Sequence, residues 1–154
     1  MITAGSSNVL DIDIVQVHEQ YQAQIPGWSG AVPIENLDAM QLRLLREIHS
    51  VASLSTNWDS YQSPPPTSAA IMSAVAQVVR IDLRNLPVPH VAPVSGGGIQ
   101  LIWQNDERTL DLEILPNGNM EYLTSQGRTH RLEGELTPTD YQMTQALIAW
   151  VAAA

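Results

Sequence analysis

Leu110, Leu112 and Ile114 alternate with Thr109, Asp111 and Glu113. This is the two-residue period of a strand in an antiparallel sheet with one dry and one wet face. Ile99, Leu101 and Trp103 repeat the pattern against Gln100 and Gln104, and Met120, Tyr122 and Thr124 continue it. Between them, Pro116-Asn117-Gly118-Asn119 predicts a hairpin, because the two central residues Asn and Gly tolerate positive φ. His90 to Val94 adds a short strand that Pro93 assigns to an edge, and Arg128 to Leu136 supplies the last one. Gly96-Gly97-Gly98, Gln104 to Glu107 and Ser125-Gln126-Gly127 read as turns.

Around this meander the apolar period lengthens to that of a helix. Leu37, Met40, Leu44, Ile48 and Val51 share one face of a helix capped by Asn36 and ending near Leu54. Pro64-Pro65-Pro66 forbid helix before Pro66, after which Thr67 or Ser68 caps a second helix. That helix carries the stripe Ile71, Val75, Val78, Val79 and ends near Leu83. Thr137-Pro138-Thr139-Asp140 resembles a helix start with Thr137 as cap, and the closing helix buries Tyr141, Leu147, Ile148 and Val151. Trp150 suits either the core or a docking surface. Toward the N-terminus, residues 1–8 read as a flexible tail, Val9 to Val17 as a strand or extended arm, and Ile25 to Gly30 as a loop. The expected fold is a single α+β domain over residues 9–154. An antiparallel meander of four to five strands packs against two N-terminal helices and a C-terminal helix, all on one face.

Composition narrows the chemistry. Phe and Cys are absent, so Leu, Ile, Val, Met and Ala must fill the core, and no thiolate or disulfide is available. Sixteen acidic residues face seven basic ones, all Arg, for a formal net charge of −9. Such a surface repels phosphate backbones and anionic membranes; the plainer reading of it is solubility, and it also suits a basic protein partner. The expectation is therefore no direct nucleic-acid or membrane contact, a cytoplasmic setting, and assembly into a hetero-oligomer.

Asp111 and Glu113 stand at Asp-x-Glu spacing on one strand face, the arrangement of a Mg²⁺-dependent hydrolase, with Glu121 as a third acid. Leu115 stands where restriction-type nucleases place a Lys, and the chain has no Lys; the plainer reading is the wet face of the strand. His18, His49, His90 and His130 have no metal-ligand spacing, and no phosphate loop or nucleophile elbow is present. No cofactor, metal or catalytic residue is assigned. The most distinctive segment runs from Asn57 to Pro66, with two aromatic residues, an acid and three prolines. It suits a pre-organised recognition edge, and Trp58, Asp59, Tyr61, Pro64, Pro65 and Trp103 are the candidate partner-binding residues. A structural role also fits, with Trp58 and Tyr61 plugging the seam between helices and sheet and Asp59 capping the loop backbone.

Asn57-Trp58-Asp59-Ser60-Tyr61, Pro89-His90-Val91-Ala92-Pro93, Gly97-Gly98-Ile99-Gln100-Leu101-Ile102-Trp103 and the strand Leu110 to Ile114 together resemble a family of small bacterial proteins. Those proteins read Asn-Trp-Asp-Gly-Tyr-Gly-Ala, a helix, Pro-x-Val-x-Pro, then Gly-Gly-Ile-x-Leu-Glu-Trp and a strand pair. The likeness covers about residues 56 to 124, with Ser60 in place of Gly, Ser63 near the Ala and Ile102 in place of Glu. It implies a bacterial accessory protein of mobile-element or defence association, and it transfers no catalytic residue. The expected function is a non-catalytic acidic protein-binding module, an accessory or neutralising subunit. The alternative is a hydrolase built on the strand carboxylates.

Overall fold

The computed structural model describes residues 37–154. The expected tail at 1–8, the strand or arm at 9–17 and the loop at 25–30 lie outside the described residues. Helix α1, Ala39–Ala52, is capped by Asp38 rather than Asn36. Asp38 Oδ1 accepts from the Gln41 N–H at 2.8 Å and Gln41 Oε1 accepts from the Asp38 N–H at 2.9 Å, a reciprocal capping box. Helix α2, Ser68–Arg80, takes Thr67, one of the two expected caps: Thr67 Oγ1 accepts from the Ala70 N–H at 3.1 Å and donates to the Pro116 carbonyl at 2.6 Å. It ends three residues before Leu83. Every residue from Ala70 to Val78 is buried, so α2 is the central helix, with α1 on one side and the sheet on the other. Ala70, Ser73, Ala74 and Ala76 are small enough to permit that close approach.

Five strands follow: β1 (His90–Val94), β2 (Gly98–Asn105), β3 (Arg108–Ile114), β4 (Met120–Gln126) and β5 (His130–Leu136). Each pairs antiparallel with the next, in the order β1-β2-β3-β4-β5, the expected meander with β1 at an edge. Ile99, Leu101, Trp103, Leu110, Leu112, Ile114 and Met120 are all at most 2% exposed and face the helices. Helix α3, Tyr141–Ala152, returns over β2 and β3 beside α2, so the fold is α+β with helices on one face. Gln77 Nε2 ties α2 to the Pro138 carbonyl at 2.8 Å, and Asn105 Nδ2 reaches the Val151 carbonyl at the end of α3 at 3.1 Å. Arg108 donates to the Trp150 carbonyl at 2.7 Å while its guanidinium lies 4.7 Å from the Trp150 ring centroid, which places this aromatic against the sheet.

Two further local expectations change. The β3–β4 hairpin is not a two-residue Asn-Gly turn. Gly118 alone takes positive φ, at +91°, and its N–H donates to the Leu115 carbonyl at 2.8 Å, so Pro116 and Asn117 form the turn and Gly118 the left-handed residue after it. A two-residue turn would make Pro116 close the ladder, and Pro has no N–H to give. Helix α3 begins after Asp140, not Thr137. Asp140 Oδ2 accepts from the Thr137 N–H at 2.8 Å, which closes a separate turn ahead of the helix. No helix among the described residues is long and apolar enough to cross a membrane.

Candidate functional site

The face of the sheet turned away from the helices carries the side chains that alternate with the core set, and register arranges them in rows across the strands. One row runs His90, Ile102, Asp111, Leu123, Glu133, and the next runs Ala92, Gln100, Glu113, Glu121, Glu135. Five carboxylates from three adjacent strands therefore share one face. They line a shallow depression of about 480 Å³ together with Gln100 and Leu123. Neighbouring strands lie about 4.8 Å apart. Glu113 stands directly opposite Glu121, and Glu121 directly opposite Glu135.

Like charges placed opposite each other cost roughly 0.2–1 kcal/mol per pair. Partial burial pushes the Glu113 carboxyl above its usual range, and the nearby charges of Glu121 and Asp111 add to the rise. Asp111 has its own support: Gln100 Nε2 donates to both of its carboxylate oxygens at 2.7 Å. Arg131 lies one row further along β5, opposite Ser125, at the margin of the acidic area. Of the five acids, Asp111, Glu113 and Glu121 were legible as strand carboxylates. Glu133 and Glu135 were missed, although the alternation Arg131-Leu132-Glu133-Gly134-Glu135 carries the same two-residue signal.

The loop before α2 folds on itself. Asp59 Oδ1 accepts from the Tyr61 N–H at 2.9 Å and the Ser63 N–H at 3.2 Å, and Oδ2 accepts from the Ser63 hydroxyl. Those donors, the Ser63 hydroxyl foremost, hold the Asp59 carboxyl below its usual range. Ser63, 5% exposed, also bonds Ser95 at 2.7 Å, which fastens the loop to the β1–β2 turn. The Trp58 indole N–H donates to the Pro64 carbonyl at 2.9 Å. Asn57, Ser60 and Gln62 all take positive φ, from +64° to +68°, so three side-chain-bearing residues sit in a region that favours Gly. Trp58 and Asp59 thus serve the loop itself, Pro65 is half-buried, and Pro64 and Tyr61 face outward, Tyr61 at 85% exposure.

Trp103 requires a correction. It is 2% exposed on the helix side of β2, so it is a core residue and not an exposed contact residue. Its place in the alternation with Ile99 and Leu101 is the physical reason. The carboxylates also do not converge. Among the described residues no group of three His, Asp or Glu side chains is placed to hold a metal ion. The acids are spread over a face, each on its own strand position, rather than gathered around a point.

No protein-family model, curated protein or solved structure matches this chain.

Proposed function

We propose that this protein is a non-catalytic binding module whose open, acidic sheet face docks on a basic surface of another protein. The observation that carries the reading is the row Glu113, Glu121, Glu135, in which adjacent strands oppose like charges without an intervening base. A sheet selected for stability alone alternates signs across strands. A cost retained in this way is explained when a partner supplies the counter-charges, and the shallow depression gives those groups a seat partly shielded from water. The net charge of −9 extends the attraction beyond the contact. As a working role, an accessory or neutralising subunit that occupies a partner's basic surface fits this electrostatics. The Tyr61 and Pro64 side chains of the loop add a second contact, held ready by the Asp59 bonds.

The test uses a synthetic arginine-rich peptide as probe, followed by amide NMR of the full chain. Shifts should map to β3, β4 and β5, and should vanish in the triple variant Glu113→Gln, Glu121→Gln, Glu135→Gln. A peptide of the same length with Arg replaced by Glu should give none. Shifts scattered over the whole surface, or unchanged in the triple variant, would refute the reading.

A further inference from the structure

Among the described residues β5 pairs with β4 on one side only, leaving a seven-residue edge without a strand neighbour. Edges of this kind are open to pairing with another strand unless their residues prevent it. β5 holds no Pro, and its side chains read Arg131, Leu132, Glu133, Gly134, Glu135, Leu136 after position 130. Leu132 lies on the helix side, opposite the buried Thr124, and yet is 49% exposed, because α2 and α3 pack chiefly over β2 and β3. A half-exposed leucine beside an open strand edge is the feature that needs an occupant.

We infer that the occupant is β5 of a second copy of this chain, paired antiparallel about a two-fold axis through Leu132. The charges select that register. Antiparallel pairing about a two-fold places residue i opposite a residue whose number makes a fixed even sum. With Leu132 on the axis, Arg131 of each copy stands opposite Glu133 of the other, and the two Leu132 side chains meet on the helix side. Moving the axis to Arg131 sets Arg131 against itself. Moving it to Glu133 sets Glu133 against itself, and moving it to Gly134 sets Glu133 against Glu135 twice. Only the Leu132 register puts opposite charges together with no like pair on the axis. An edge strand's charges usually deter pairing, but here their order makes the edge self-complementary.

The result is a ten-stranded sheet with the helices of both copies on one side. The two acidic faces then lie side by side on the other, doubling the carboxylates that a partner meets. Net repulsion between copies of charge −9 opposes association, so the pairing is favoured at physiological ionic strength. The Debye length there is about 8 Å, which screens the distant charges more than the Arg131–Glu133 contacts.

Sedimentation of the full chain over a range of concentrations tests this directly. The wild type should form a concentration-dependent dimer. Arg131→Glu alone and Glu133→Arg alone should each stay monomeric, since each sets like charges opposite in the same register. An equimolar mixture of those two variants should restore a dimer containing one copy of each. Leu132→Lys should abolish self-association, and circular dichroism would show that each variant retains its fold. A wild type monomeric at millimolar concentration would overturn the proposal. So would a dimer that survives both charge variants, or a mixture that stays monomeric.

Discussion

Ser63 shows how one buried hydroxyl sets a loop. It gives its proton to Asp59, meets Ser95 across 32 positions of chain, and is almost fully buried. Ser63→Ala should lower stability, because it removes the hydroxyl that links Asp59 to Ser95 and so ties the loop to the β1–β2 turn. Because the Ser63 hydroxyl is the main cause of the depressed Asp59 carboxyl, the variant should also unfold at a higher pH on the acid side. Denaturant titration at neutral and acid pH checks both effects. Ser60 sits at φ +66°, a backbone conformation that favours glycine. Gly134 has a different cause: a Cβ added there would lie 2.7 Å from the Tyr122 ring. Tyr122 covers the glycine opposite it, so Gly134→Ala should cost about 1–3 kcal/mol through overpacking, and a Tyr122→Leu background should recover part of that loss.

At the scale of the element, β3 combines a buried apolar run with an opposite face that works against the sheet. Leu110, Leu112 and Ile114 are 0% exposed, whereas Glu113 opposes Glu121. Glu113→Gln should stabilise the protein at neutral pH by about 0.2–1 kcal/mol. The pH dependence follows from the same residue. A folded-state carboxyl held above its ordinary value of 4.5 binds its proton more tightly folded than unfolded. Stability therefore rises as pH falls from neutral through the folded-state value. Asp59 and Asp82 act in the opposite sense. Arg84 lowers Asp82 from 3.8 to about 2, and the stability that these two contribute above 3.8 is lost as pH falls through their folded-state values. The wild type should thus be most stable in mildly acid solution, and Glu113→Gln should flatten the neutral-side slope alone. Thermal melts across pH 2 to 8 would show this, and a slope unaffected by the substitution would refute it.

For the whole molecule, charge links stability and binding with opposite signs. Sixteen acids against seven arginines repel one another in the free protein. Raising salt from very dilute buffer to physiological strength should therefore raise the denaturation midpoint. The same change should weaken the complex with an arginine-rich peptide, because it screens the attraction across the interface. Urea melts and calorimetric binding at matched salt check the pair. A complex insensitive to salt would remove the acidic face from the binding account, whatever the stability data show.

Hydrophobic period determined most of the fold by itself. Strand alternation and helical stripes are local, so the strands of the meander and the three helices were legible one segment at a time. Sequence spacing also put Asp111 and Glu113 on one face, because successive side chains of a strand point opposite ways. What lay beyond it depended on register. That Glu113, Glu121 and Glu135 form one row is a property of three paired strands, and no spacing along the chain states it. The same holds for Asp59, whose role as a loop anchor needs Ser63 and Ser95 brought together by the β1–β2 turn. Trp103 sat in a visible core alternation, yet its loss as a contact residue became definite only once α2 and α3 covered that face. Local periodicity fixes which side of an element is dry. Only long-range pairing decides which wet side chains become neighbours, and the electrostatics of this protein lies in those neighbours.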